Sequence, residues 1–155
     1  MFNYSNIELG KWDLCDLVDD RSTGDFVKLV DNIKKDVKEF EDNRQILKPD
    51  LNSSSFERLV HEIENILETL SRVNSFAQLK YAADTSSNEA AALVLETEKL
   101  SSQISNQILF FDLWFKKGLD KNNAQRLIDS ISAVYREYLK HKRLVEKYSL
   151  NELEE

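Results

Sequence analysis

Hydrophobic residues recur at helical spacing along most of the chain, and the longest such stretch runs from Ala82 to Gly118. Its polar start at 84–86 suits a helix N-cap, and Ser86 with Glu89 has the spacing of a capping box. Gly118 suits the end, because glycine readily takes the left-handed conformation that closes a helix. The stretch predicts one helix of about 45 Å. Its apolar stripe steps by sevens, fours and threes through Leu93, Leu100, Ile104, Ile108, Phe111 and Phe115.

The last two turns of this helix are apolar on nearly every side. Such a helix is normally buried on several faces, so these turns are either the centre of a bundle or a docking surface. Large apolar patches on a folded domain usually mark an interface. On the docking interpretation, this end packs on protein that lies outside these 155 residues, through Phe110, Phe111, Trp114 and Phe115.

Further amphipathic helices flank the central one. The pattern predicts a helix from Thr23 to about Asp42, and a second from a serine cap at 53–55 to about Lys80. Pro49 lies in the connection between them, because proline disfavours helix at the preceding residue. A shorter helix follows Gly118, and a last apolar stripe runs over 131–145, ending in a basic turn. Residues 1–22 read as an extended or loosely helical lead-in containing Trp12, Leu14, Leu17 and Val18.

Composition and length point to the same fold class. Only three glycines and one proline occur in 155 residues, and those two residue types punctuate tight turns and strands. The sequence therefore predicts an all-α fold, an antiparallel helical bundle of about five or six helices with long members. Residues 1–155 fit a single helical domain.

Charge and cysteine content restrict partners and compartment. The net charge of −7 argues against a nucleic-acid groove, which needs a concentrated positive field. No apolar run approaches the ~18 residues of a membrane span, so no membrane partner is expected. A single cysteine, Cys15, allows no internal disulfide, and the N-terminus lacks the pattern of a signal peptide. These features predict a cytoplasmic protein.

One segment imitates a catalytic motif. A zincin needs H-E-x-x-H, which brings two histidines onto one helix face; here His61-Glu62 is followed by Asn65 in place of the second histidine. His61 is therefore expected on the surface, and His141 belongs to a basic helix end. A ferritin-like site needs Glu-x-x-His, but Arg58 and Tyr138 precede the two histidines at that spacing. The chain's own residues thus predict no catalytic, cofactor-binding or metal site.

Several stretches together resemble a known family. The segment Trp12-Asp13-Leu14-Cys15-Asp16-Leu17 resembles a W-D-L-x-x-L start, and Tyr81-Ala82-Ala83-Asp84-Thr85 resembles an A-x-D-T turn. The run 104–113, ending Phe110-Phe111-Asp112-Leu113, resembles an L-x-F-F-E-L segment. Two further pieces, Tyr135-Arg136-Glu137-Tyr138-Leu139 and 148–155, follow in order. This order resembles the N-terminal helical region of oligoendopeptidase F and its relatives among the thimet-type zinc metallopeptidases.

The resemblance implies a non-catalytic lobe of a longer zinc oligoendopeptidase. In that family the zinc ligands lie in a later H-E-x-x-H helix, which no residue of this chain matches, so this segment should hydrolyse nothing alone. Zinc is expected in the full-length parent. The lobe would form one wall of a channel that admits short peptides, and its partner would be the missing catalytic domain of the same chain.

Two other interpretations stay open. The chain fits a stand-alone helical protein–protein interaction module, including a homodimer through the surface formed by residues 110–115. It also fits a regulatory helical domain fused to another enzyme. A capping box formed by Ser149 and Glu152 predicts a helix that starts just before Glu155, which favours a chain that continues.

Overall fold

The computed structural model describes residues 13–18 and 23–145, and most of these residues are helical. Five α-helices follow one another: α1 (Thr23–Glu41), α2 (Ser53–Ala83), α3 (Asn88–Leu113), α4 (Lys121–Ser130) and α5 (Ala133–Leu144). A 3₁₀ turn, Asp42–Ile46, follows α1, and a π-helical turn, Trp114–Gly118, continues α3. The described residues contain no β-strand. The all-α prediction is confirmed for this part of the chain.

The helix starts lie one or more residues away from the predicted caps. Asn52, not a serine, caps α2: its side-chain oxygen accepts a hydrogen bond from the N–H of Ser55 at 2.8 Å. Ser87 caps α3 by accepting from the N–H of Ala90 at 3.2 Å. The predicted start at 84–86 is wrong because Asp84 instead accepts from both the N–H and the hydroxyl of Ser86, which closes a turn before the helix.

Gly118 does not close its helix in the predicted way. None of the described glycines has a positive φ, so no left-handed cap is formed. The helix instead continues as the π-helical turn, and the backbone becomes extended at Leu119. A Cβ atom added to Gly118 would lie 2.9 Å from Cδ1 of Trp114. Glycine is therefore required here by the close approach of the indole ring.

Aromatic rings join the first three helices and the π-helical turn. Phe56 of α2 is fully buried, and its ring centroid lies 5.5 Å from that of Phe115 and 6.2 Å from that of Phe111. Phe40 of α1 lies 5.4 Å from Phe110. Rings at these separations contribute about 0.5–1.5 kcal/mol per pair beyond the area that they bury. This aromatic cluster fixes the end of α3 against the start of α2.

The predicted stripe of α3 faces the core along most of its length. Leu100, Ile104, Phe111 and Phe115 are buried, whereas Leu93 and Ile108 are half-buried. Thr97 occupies a position in the same stripe and is also buried. Its hydroxyl donates to the carbonyl of Val94 at 3.0 Å, which satisfies the polar group inside an apolar environment.

Part of the lead-in is described and contacts α2. Residues 14–18 form a turn in which the N–H groups of Leu17 and Val18 donate to the carbonyl of Leu14. Val18 is buried, and the guanidinium of Arg72 donates to the carbonyl of Leu17. Trp12 and the predicted capping box at 149–152 lie outside the described residues. None of the described helices combines the length and the apolar character needed to cross a lipid bilayer.

Candidate functional site

A groove of about 750 Å³ lies between α2, α3 and α5 in the described part of the chain. Each of the three helices contributes residues spaced three, four or seven apart, so one face of each helix forms one wall. We call it the α2–α3–α5 groove. Its lining residues are Val60, Ile63, Glu64, Leu67, Glu68, Ser105, Ile108, Leu109, Phe111, Asp112, Tyr135, Tyr138 and Lys142.

The floor and walls of the groove are mostly apolar, and some of these side chains remain open to water. Leu67 of α2 is 40% exposed and Tyr138 of α5 is 50% exposed. Both positions fit the helical spacing of the apolar residues in their helices, a spacing that is typical of buried positions. They stay accessible because α5 does not close over the gap between α2 and α3, so the surface is preformed and open.

Tyr135 links α5 to α2 at one side of the groove. Its hydroxyl donates to a carboxylate oxygen of Glu64 and lies 3.1 Å from Nδ1 of His61. The hydrogen bond to Glu64 favours the protonated phenol and so raises the pKa of Tyr135. The His61 and Tyr135 rings meet edge to face, with centroids 5.1 Å apart. Tyr135 therefore positions α5 as a wall of the groove.

Asp112 lies at the opposite side, where it binds two lysines. Its carboxylate lies 2.5 Å from Nζ of Lys116 and also accepts from Nζ of Lys142. Burial alone would raise the pKa of Asp112, but the hydrogen bonds from the two lysines outweigh it and hold that pKa below its ordinary value. Burial would likewise lower the pKa of Lys142, yet its hydrogen bonds to Asp112 and Tyr138 raise it. This side of the groove is a fixed ionic network.

The π-helical turn is held by a neighbouring cation of α5. The guanidinium of Arg143 donates to the carbonyl of Phe115 at 2.9 Å and to the carbonyl of Lys116. These carbonyls lie at the end of the extended α3 helix, where the helix's own N–H groups are exhausted. Arg143 thus completes the helix end and fixes α5 beside it.

The four aromatic residues predicted as a docking surface lie largely inside this chain. Phe110, Phe111 and Phe115 are buried in the aromatic cluster, and Trp114 is half-buried against Phe56 and Phe111. Phe111 is the one of the four that lines the α2–α3–α5 groove. Contact between these rings and a further domain stays a prediction.

The two histidines and the cysteine, which are the residues considered for catalysis or metal binding, do not lie together in one site. His61 is exposed, with its Nδ1 3.1 Å from the hydroxyl of Tyr135, His141 is exposed, and Cys15 is half-buried in the lead-in. Among the described residues, no group of three or more histidine, cysteine or acidic side chains could hold a metal ion.

The local sequence pattern does not indicate the groove. Its walls come from residues about 70 positions apart, such as Glu64 and Tyr135. One local feature of the sequence points to its α5 wall: Tyr135, Tyr138 and Lys142 share a helix face that mixes aromatic and cationic side chains.

Comparison of the chain with protein-family models, with curated proteins and with solved structures finds no match.

Proposed function

We propose that this chain is a helical interaction module whose α2–α3–α5 groove binds an amphipathic helical segment of another protein. The observation that carries this proposal is the preformed apolar groove with accessible Leu67 and Tyr138 in its lining. Apolar grooves between helices are a recurring way to recognise a helix, whose anchors then fall at i, i+3, i+4 and i+7.

The dimensions of the groove support this occupant. The α2 wall runs from Val60 to Glu68, which is about 12 Å of helix at 1.5 Å per residue. The α5 wall runs from Tyr135 to Lys142 and is of similar length. Walls of this length match about two turns of a bound helix. A lining with both aliphatic and tyrosine side chains provides apolar area together with hydroxyl groups for orientation.

The test uses a designed probe. A fluorescent amphipathic peptide of about 18 residues, with leucines at i, i+3, i+4 and i+7 and a neutral polar face, is titrated with the protein. We expect saturable binding by fluorescence anisotropy, with amide chemical-shift changes at groove residues. Leu67→Asp should weaken binding by about tenfold or more, because it places a charge in the apolar wall.

Leu95→Asp is the matched control. Leu95 is 67% exposed on α3 and lies outside the groove lining, so this variant should bind like the natural chain. Equal loss in both variants, or no saturable binding, would overturn the proposal. Sedimentation of the chain alone tests a second copy as occupant: a dimer that Leu67→Asp abolishes would make the groove a homodimer interface instead.

We also propose that the first three helices pack as an antiparallel bundle. Phe26 near the start of α1 lies 5.9 Å from Phe76 near the end of α2. Phe56 near the start of α2 lies beside Phe115, just after α3, while Asn74 donates to Ser101 at 2.7 Å. Nuclear Overhauser contacts between these ring pairs would support the arrangement, and contacts between the two helix starts would contradict it.

The second candidate function is the non-catalytic N-terminal lobe of a cytoplasmic zinc oligoendopeptidase. The observation that favours it is the order of the family-like stretches along the chain. Three of them fall at defined places: 81–85 at the end of α2, 104–113 in α3 and 135–139 in α5. In this proposal the groove receives a helix of the catalytic domain, and the lobe limits access to short peptides. Zinc and the peptide chemistry belong to that other domain.

This second proposal is tested on the native gene. The reading frame past Glu155 should continue and encode H-E-x-x-H, and the whole protein should hydrolyse short peptides in a zinc-dependent way. A stop codon at or just after Glu155 would contradict it and leave the stand-alone module.

A further inference from the structure

We propose that the segment bound by the α2–α3–α5 groove is basic, with lysine or arginine side chains flanking its apolar stripe on the side that faces α2. This inference rests on the proposed helix-binding function and specifies its partner. It follows from the way the groove's charged groups are paired.

Two carboxylates on α2 line the groove and stay accessible. Glu68 is exposed and makes no hydrogen bond or ion pair with another described residue. Glu64 is about half-exposed and, beyond its contacts with Tyr135 and His61, still presents carboxylate surface to water. The two residues are four apart in α2, so they lie on the same helix face one turn from each other.

The cation in the lining has a partner already. Lys142 is bound to Asp112, and Lys116 beside the groove binds the same carboxylate. The side chains of Asp112, Lys116 and Lys142 are 20%, 16% and 27% exposed, so the network is partly shielded from solvent. Both ammonium groups already lie within ion-pair distance of Asp112, so a bound anion would have to share them with that carboxylate.

The other cations of α5 are engaged outside the groove. Arg143 donates to the carbonyls that end the π-helical turn, and Arg136 donates to the carbonyl of Ile131. Lys140 pairs with Glu137 at 2.7 Å. The groove therefore presents apolar walls, an ionic network in which two lysines share one carboxylate, and an acidic α2 edge. That edge complements a cationic amphipathic helix whose basic side faces α2.

The inference is tested by comparing three labelled peptides that share one apolar register. Their polar faces are made of lysine, of glutamine or of glutamate, and the readout is the Kd from anisotropy at low and physiological salt. We expect the lysine peptide to bind tightest and the glutamate peptide weakest, with the difference shrinking as salt rises. Glu68→Lys should weaken the lysine peptide about three- to tenfold and leave the glutamine peptide nearly unchanged.

Glu98→Lys is the matched control, because Glu98 is an exposed carboxylate on α3 outside the groove lining. It makes the same change in net charge, so an equal effect in both variants would show general attraction to an acidic protein and overturn the inference. Equal binding of all three peptides, or preference for the glutamate peptide, would also overturn it and leave the helix-binding function intact. Failure of every peptide to bind would instead contradict the proposed function.

Discussion

At Trp114 and Gly118, the side chain of one residue determines which residue type fits at the other position. The indole ring lies against Phe56 and Phe111, with ring centroids 6.4 Å and 5.7 Å away. Its Nε1 is buried without a hydrogen-bond partner among the described residues. The packing of the ring therefore outweighs the cost of that unpaired donor, about 1–3 kcal/mol. A ring held on these sides has little room to move away from position 118.

We predict that Gly118→Ala destabilises the protein by about 1–2 kcal/mol, because the new methyl group meets Cδ1 of Trp114. The backbone at Gly118 has no positive φ, so strain in the backbone does not contribute. Urea unfolding followed by circular dichroism gives the free energy of unfolding.

Gly24→Ala provides the control for this prediction. Gly24 is exposed in the first turn of α1, where alanine should stabilise the helix by about 0.5–1 kcal/mol. If Gly118→Ala were also stabilising, the close contact with Trp114 would not be what requires glycine there.

At the scale of single helices, the structure distinguishes two candidate caps for α2. Asn52 accepts the hydrogen bond from Ser55, whereas Ser54 is an exposed residue inside the first turn. We predict that Asn52→Ala lowers the free energy of unfolding by about 1 kcal/mol, and that Ser54→Ala changes it by less than about 0.5 kcal/mol. Chemical denaturation of the two variants measures the difference. A larger loss for Ser54→Ala would restore the serine cap that the sequence pattern predicted.

Helices and their inward faces could be predicted because they depend on local spacing. The stripe from Leu100 to Phe115 needs only the period of the α-helix, and it faces the core as expected. The exact cap could not be predicted, since several adjacent polar residues can each accept the same N–H groups. The end of α3 could not be predicted either, because glycine is needed at position 118 by the nearby ring of Trp114 and not by a left-handed turn.

The candidate site was less predictable than the fold, for a physical reason. The exposure of Leu67 and Tyr138 depends on where α5 packs relative to α2 and α3, and both residues fit a buried stripe in sequence. The contact between Glu64 and Tyr135 joins two helices that are distant in the chain. Contacts of this kind depend on how whole helices pack together, and the spacing of apolar residues along one helix does not specify that packing.

At the scale of the whole molecule, α5 is attached to the rest by polar contacts at both sides of the groove. Tyr135 bonds to α2, while Lys142 and Arg143 bond to Asp112 and to the carbonyls of the π-helical turn. Leu139, between them, is buried in the core. These polar contacts and the buried Leu139 together position the third wall of the groove, and pH should act on that wall through Asp112.

We predict that Asp112 makes the protein's stability depend on pH in acid. Its pKa in the folded state lies below its ordinary value of 3.8, so its contribution is present above about pH 4 and is lost as pH falls through the lower, folded-state pKa. Asp112→Asn should remove that part of the acid dependence and lower the free energy of unfolding at neutral pH by about 1–2 kcal/mol, because two half-shielded lysines lose their shared anion.

Urea midpoints between about pH 2.5 and pH 7 measure both effects. Glu98→Gln, which removes an exposed carboxylate without a described partner, should leave the curve unchanged. Asp84 and Asp120, whose pKa values are lowered by hydrogen bonds from Ser86 and Asn123, should keep the remaining acid dependence in the Asp112→Asn variant. If the curves of the natural chain and of Asp112→Asn ran parallel, the network at Asp112 would not hold α5 through its charge, and the buried contacts of Leu139 would have to position the third wall of the groove.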